Sequence, residues 1–589
     1  MKTNKMRKMV LFGFVATWIL GVATMGWAQN TTWNQTGSGT WNWNDPANWS
    51  AGTPTTATNA LFASSATNTV QLSANSGVLR IRESGTPTLD LTLDLNGYTL
   101  TAAGNPGLTI GLDTASAVNF TLMSSQSGGL LDAVRIRSGN MAASDYINMT
   151  LTGSNLFVNQ SGSSGTYLNE RANGKLVVRD GAGLNTYGEL FFASGDNKSQ
   201  FAEFWITGPG SVVTTRSNAR LGLQSTNLPL LVVTNGAMYS VWGANTLAQG
   251  GDAPASYSPG ANALFLVTGT GSHATNTTLT VSEMAGNGVL TKSGYTGTGG
   301  GFVLVEKGGI LNVGALNIGR GARVSNGLTN ELAYGQVIVR DTGSIFRASA
   351  SQQIGQASQG AVYVLNGGTF MGSTSAHTIL GNPRSVDNYT NVNAYGLLVI
   401  SNAGSYAEVR SLRVGGDTAL SYGYGDVMVL DGASLKTTHA DGITLRPRSG
   451  LTVSDSFVES STLILETNTT VRIELGARSH SEYYINLTGA LNIAANVNLE
   501  IGVLDSFNAL PGEDIWLIDF ASRTGVGEFV NLKHGNTFIV GDYEFEFIVG
   551  DAFTDMYLNV VQVIPEPGTL GLIGVGLGLA AILRRRRQR

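Results

Sequence analysis

The chain has no cysteine in 589 residues. This excludes disulfide staples and thiol catalysis, so the protein must hold itself together by burial and backbone hydrogen bonding. Charge is also scarce, with Asp, Glu, Lys and Arg making up 13% of the residues. The five histidines, His273, His377, His439, His480 and His534, are scattered without metal-ligand spacing. No GxSxG elbow and no DxDxDG loop occurs, so neither a hydrolase nucleophile nor a calcium loop is spelled out. The glycine run 294–301 (GYTGTGGG) lacks the strand–loop–helix context of a phosphate cradle. No cofactor and no metal is expected. Between the two ends, no stretch sustains a helical apolar period. Basic residues are few where it matters: setting aside four in residues 1–28 and five after Pro567 leaves 26 of 35, against 40 acidic, a balance of −14. An acidic body argues against a nucleic-acid partner.

Glycine, by contrast, is abundant, at 77 residues. Apolar clusters of three to six residues, rich in Val, Ile, Leu, Phe and Thr, alternate with NG, DG, GG and SG dipeptides, which is strand-and-turn punctuation. One unit recurs: three apolar residues, two polar ones, a Gly-rich turn and another apolar residue. Copies include LVVRDGAGL, FLVTGTGSH, VIVRDTGSIF and VMVLDGASL. The third apolar residues are Val178, Ile206, Val233, Val267, Val305, Val339, Val364, Ile400 and Val429, at spacings of 28, 27, 34, 38, 34, 25, 36 and 29. A second element follows most copies, an apolar residue before glycine: Ile318-Gly319, Ile354-Gly355, Leu380-Gly381 and Val414-Gly415. Short strands repeated in this way cannot bury an apolar face singly, but stacked coils can. The expectation is therefore an all-β fold, a parallel β-helix (β-solenoid), with a series of β-sandwiches as the competing reading. After residue 450 longer runs alternate at period two, which reads as a closing antiparallel region that caps the stack.

Several positions invite a functional reading. Trp33, Trp41, Trp43 and Trp49 fall within 17 residues. They suit either an apolar plug in an N-terminal cap or stacking against sugar rings. The middle apolar residue of each unit (Val177, Trp205, Val232, Leu266, Leu304, Ile338, Tyr363, Val399 and Met428) points away from its two neighbours. One sheet is thus apolar on both faces, and the outer stripe is either covered by loops or adhesive. Asp90 and Asp94 share a strand face, and Asp180, Asp341 and Asp431 sit at turns; a solvated face and turn chemistry account for them.

The two ends carry addresses. Lys2, Lys5, Arg7 and Lys8 precede an apolar run from Val10 to Met25, and Gly26 and Ala28 are small residues before a cleavage point at Ala28/Gln29. That is a secretory signal peptide. At the other end Pro565-Glu566-Pro567 leads into the 16-residue apolar run Gly568–Leu583 and the cluster Arg584, Arg585, Arg586, Arg587. As a helix the run spans roughly 24 Å at about 1.5 Å per residue, a marginal span for a bilayer core of about 30 Å. The arginines would stay on the cytoplasmic side. These residues resemble the PEP-CTERM sorting signal of Gram-negative bacteria. The resemblance implies processing by an exosortase-type membrane protease, transient anchoring in the inner membrane by the C-terminal helix, and association with exopolysaccharide or a cell-surface matrix. The repeats, in texture and turn signature, resemble autotransporter-associated β-strand repeats.

The domain organisation expected from these features is a signal peptide (1–28), a Trp-rich cap (29–88), β-solenoid repeats (89–450), a C-terminal β region (451–562) and the sorting signal (563–589), with a terminal helix at each end. The expected role is an exported, non-enzymatic structural or adhesive protein of the cell surface or extracellular matrix. The alternative is a carbohydrate-binding or polysaccharide-degrading β-helix protein, which needs carboxylates clustered on one face.

Overall fold

A computed structural model of the chain describes residues 29–63, 67–83, 88–110, 117–138, 146–169, 173–193, 201–222, 228–249, 262–283, 299–320, 333–356, 358–383, 394–417, 423–525, 527–550 and 554–564. Among these residues the structure is all-β, with parallel strands in long sheets. One 3-10 turn, Pro46–Asn48, interrupts it. The chain divides into two compact units, one running to Phe191 with Gly210–Arg216, the other containing Phe192–Pro209 and the chain from Ser217 onward.

Most coils are built from a long strand, a tight turn, a middle strand and a short strand; in three the last two are one continuous strand, Met238–Gln249, His273–Glu283 or Ile310–Arg320. In the coil that begins at Tyr395 these strands are Tyr395–Ser401, Tyr406–Val409 and Leu412–Val414. They pair in parallel register with Tyr424–Leu430, Ser434–Thr437 and Ile443–Leu445 of the next coil. In the first unit the long strands form one parallel ladder from Gly39–Asn42 to Gly174–Arg179. In the second unit a ladder of the same kind runs from Ala202–Thr207 to Asn498–Val503. Alternation along a strand sends every second side chain inward. The nine repeat-marking residues from Val178 to Val429 are all 0% exposed. Their stacking gives each coil the shared core that one coil alone lacks.

Glycine at the corners answers a backbone demand. Gly355 and Gly381 have φ of 77° and 64°, where a side chain is strained. A Cβ on either would also lie 2.0 Å from a carbonyl oxygen, that of Tyr395 or Tyr424.

The turn after the long strand comes in two kinds that alternate. In one, an Asn, Asp or Lys and the following Gly are both left-handed, as at Asn235-Gly236, Lys307-Gly308, Asn366-Gly367 and Asp431-Gly432. The next coil carries a serine instead, and its Oγ accepts the glycine N–H of the coil before. The pairs are Gly236 to Ser272 at 3.1 Å, Gly308 to Ser344 at 3.0 Å, Gly367 to Ser405 at 3.0 Å and Gly432 to Ser456 at 3.1 Å. The first unit holds the same bond between Gly181 and Ser211, 3.0 Å. These serines are buried. Asp180, Asp341 and Asp431 all have φ between 57° and 74°, so the acidic turn residues do carry turn geometry.

Pairing changes later than the alternation pattern suggests. Gln29–Thr32 already pairs in parallel with Thr58–Leu61, so coil-type pairing precedes residue 89. The strands Gly450–Ser454, Thr470–Leu475 and Asn498–Val503 are still parallel, so the ladder does not end at 450. Antiparallel pairing begins with Asp514–Asp519 against Asp555–Val563, which in turn pairs with Tyr543–Val549. Period-two alternation reports a buried face in either direction of pairing. The missing glycine signal is replaced beyond residue 450 by left-handed Asp455, Asn468 and Asn496. The expected terminal helices fall in residues 1–28 and 565–589, outside the described residues. Among the described residues no helix is long and apolar enough to cross a membrane.

At the last long strand the ladder edge is occupied by a side chain. Asn531 Nδ2 donates to the Leu499 carbonyl (2.8 Å), and its Oδ1 accepts from the Leu499 N–H (3.0 Å). Val530 N–H donates to the Val497 carbonyl (2.9 Å). One amide thus satisfies both edge groups of Leu499.

Candidate functional site

The outer face of the long-strand ladder is where the chain presents a regular surface. Register alone sets its chemistry, because one outward position of every strand stacks on the same position above and below. In the first unit that column reads Thr40, Thr69, Thr92, Thr121 and Thr150 before reaching Val177. Polar ladders flank it: Asn148 Nδ2 donates to Asn119 Oδ1 (3.0 Å), and Gln71 Nε2 to Asp94 Oδ2 (2.8 Å). Asp94 also accepts from the backbone N–H groups of Asn96 (2.8 Å) and Ser125 (2.9 Å). Burial would push its carboxyl up, but these bonds outweigh burial and hold it below the usual value. Asp94 is thus a turn-holding group, while Asp90 is exposed and meets the Thr67 hydroxyl at 3.3 Å.

In the second unit the same column is apolar. Trp205, Val232, Leu266, Leu304, Ile338, Tyr363, Val399 and Met428 follow one another in register. The column then turns polar at Thr452, Arg472 and Glu500. Val232 is buried and the other seven are half-buried, so the stripe is neither sealed nor open. A second outward column beside it carries Leu230, Leu264 and Phe302 in register. Tyr395 and Tyr424 edge the face with ring centroids 5.1 Å apart, and the Tyr395 hydroxyl donates to Asp426 (3.0 Å).

Three of the four tryptophans are interior. Trp33, Trp43 and Trp49 are buried and pack edge-on, with centroids 4.8 Å (Trp33–Trp49) and 5.0 Å (Trp43–Trp49) apart, around Phe62. The Trp49 indole N–H donates to the Trp43 carbonyl (2.8 Å). Buried rings have no face to offer a sugar, which corrects the stacking reading for these three. Trp41 is half-buried.

One cluster of reactive residue types escaped sequence reading. Stacked corners of three successive coils bring together His377, Ser411 and Asp441. Ser411 Oγ lies 2.5 Å from His377 Nδ1, and Asp441 Oδ2 lies 3.8 Å from the same nitrogen and 3.3 Å from His439 Nδ1. Arg410 reaches His439 Nε2 at 2.8 Å. Burial first, then the Arg413 charge, hold the His377 imidazole below its ordinary value. A relay needs the serine and the carboxylate on opposite ring nitrogens; here they share one, and Ser411 is 1% exposed. His377 and Ser411 lie 34 positions apart in the chain, so only the coil register could have revealed the cluster. Among the described residues no group of three or more His, Cys, Asp or Glu is placed to hold a metal ion.

Gln29 opens the first described strand. Ala28, Pro565, Glu566, Pro567 and Arg584–Arg587 lie outside the described residues. Residues 563–587 match the model of the PEP-CTERM protein-sorting motif. The chain therefore carries a sorting motif of that class, which implies export, cell-surface sorting and processing by an exosortase membrane enzyme. No curated protein matches the chain.

Proposed function

We propose that this protein is an exported β-solenoid that serves as a structural or adhesive component of the cell surface or extracellular matrix. In this reading its coils are of the autotransporter-associated type, its tail holds it at the inner membrane until processing, and its surroundings include exopolysaccharide. The sorting motif at 563–587 supports the route. The observation that carries the role is the in-register apolar column from Trp205 to Met428, because an apolar stripe kept half-open over many coils favours contact with another surface.

No catalytic role is part of the proposal. The polysaccharide-degrading alternative needs paired carboxylates across a groove, and the His377–Ser411–Asp441 corner does not supply them.

The test is replacement of Trp205, Ile338 and Tyr363 by Ser. Retained export with loss of surface assembly is expected; unchanged assembly of a folded triple variant would overturn the adhesive role. The route is tested separately, by intact mass of protein from membrane and medium fractions. A mature product lacking both ends is expected, and a surface form keeping the Arg cluster would contradict processing.

A further inference from the structure

Asparagine followed by glycine is the dipeptide most prone to lose its side-chain amide, because glycine leaves its nitrogen open to the neighbouring side-chain carbonyl carbon. Three ladder turns among the described residues carry this pair: Asn96-Gly97, Asn235-Gly236 and Asn366-Gly367. In all three both residues are left-handed, with φ of 50° and 82°, 55° and 77°, and 52° and 82°. Two more turns carry the aspartate form of the pair, Asp180-Gly181 and Asp431-Gly432. Asn235 and Asn366 are exposed, so water reaches them.

In each of these five turns the glycine nitrogen is already engaged. Gly97 N–H donates to Ser124 Oγ (3.0 Å), completing the set formed with Ser211, Ser272, Ser405 and Ser456. The five serines come from the following coil and are buried. Two of the asparagine amides are also held, from the preceding coil. Asn96 Nδ2 donates to the Leu72 carbonyl (3.1 Å), and Asn235 Nδ2 to Thr207 Oγ1 (3.1 Å). The Asn366 side chain has no hydrogen-bond partner among the described residues, which leaves the Gly367–Ser405 bond as its lock. Gly308 makes the same bond beside Lys307, so the bond belongs to the turn, and the shielding of asparagine follows from it.

We infer that Asn96, Asn235 and Asn366 are latent deamidation sites, each kept closed by the serine of the following coil. Reaction requires the glycine nitrogen to give its proton to hydroxide and to attack the asparagine Cγ. A Cγ–N bond forms and the Cγ–Nδ2 bond breaks; the departing nitrogen takes up a proton from water and leaves as ammonia. Water then opens the cyclic imide at either carbonyl, leaving aspartate or isoaspartate, and nothing is oxidised or reduced. While the serine holds the N–H, the glycine nitrogen is directed at the next coil and not at Cγ. When that coil lifts, the hydrogen bond is lost and ring closure becomes open to the turn. Isoaspartate adds a backbone carbon, so each conversion leaves a lasting mark of coil opening. This inference is independent of the apolar column of the second unit.

The test incubates the exported protein at mildly alkaline pH and follows each asparagine by peptide mapping and mass. Synthetic peptides spanning residues 231–239 and 362–370 serve as the unshielded reference. Both peptides are expected to convert at least tenfold faster than the same residues in the folded protein. Ser405→Ala is expected to speed conversion of Asn366 several-fold and to leave Asn235 unchanged. Ser272→Ala is expected to do the reverse, each variant still being folded at the incubation temperature. Should an alanine variant lose its fold, Ser405→Cys, which keeps the shape and weakens the acceptor, replaces it. Equal rates in protein and peptide, a folded Ser405 variant with Asn366 unchanged, or a rise at Asn235 as large as that at Asn366 would each overturn the inference.

Discussion

Buried serines tie alternate turns to the ones before them. Ser344 accepts the Gly308 N–H of the preceding coil at 3.0 Å. Ser344→Ala leaves that half-buried donor without its partner, so a loss of about 0.5–1.5 kcal/mol is expected. Denaturant midpoints measure it, with Thr342→Ala as the control: Thr342 is exposed on the same turn, and its replacement is expected to move the midpoint little. Glu306 gives a second prediction. Arg340 Nε lies 2.8 Å from its carboxylate, and a second guanidinium nitrogen also bonds it. Burial would push the Glu306 carboxyl up, but the Arg340 bond and charge, with Lys307, outweigh burial and hold it below its usual 4.5. A depressed folded value means stability that is fully present above the unfolded value and lost as pH falls through the folded one. Acidification from about pH 6 to about pH 3 is thus expected to lower the melting temperature more in the natural protein than in Glu306→Gln.

At the scale of strands, inward positions are legible in the sequence and outward ones less so. The markers from Val178 to Val429 announce the core because a three-residue apolar burst before a Gly turn has one inward register. Direction of pairing is not legible, since alternation at period two is the same for both, and this is why the parallel run continues past residue 450 to Asn498–Val503. The tryptophan cluster illustrates the same limit: spacing places Trp33, Trp43 and Trp49 near one another, but only packing around Phe62 decides that they face inward. The His377 corner stays hidden for a related reason, because its members come together through coil stacking and not through local spacing. The ladder edge at Leu499 supplies a prediction of its own. Asn531→Ala removes the amide that occupies both edge groups of Leu499. An exposed parallel edge recruits strands, so concentration-dependent dimers are expected by light scattering after size exclusion, where the natural protein stays free of that contact.

For the molecule as a whole, the absence of cysteine and the balance of −14 between the ends fit a body held by repetition instead of cross-links. Stability in such a stack is a sum over coils and their neighbours. The sorting tail is legible from a few residues, because it is a local pattern that needs no folding to be read. The match at 563–587 bears it out.

The alternation of turns makes the natural unit of gain and loss a pair of coils. Removing residues 395–423 sets two Asn/Asp-Gly turns, at Asn366-Gly367 and Asp431-Gly432, one above the other, and Gly367 then has no hydroxyl to meet. Removing residues 359–423 takes out one turn of each kind and restores the sequence of partners. The shorter protein made by the larger excision is therefore expected to melt higher than the one made by the smaller. A genome that lengthens or trims this protein while keeping it folded should do so by even numbers.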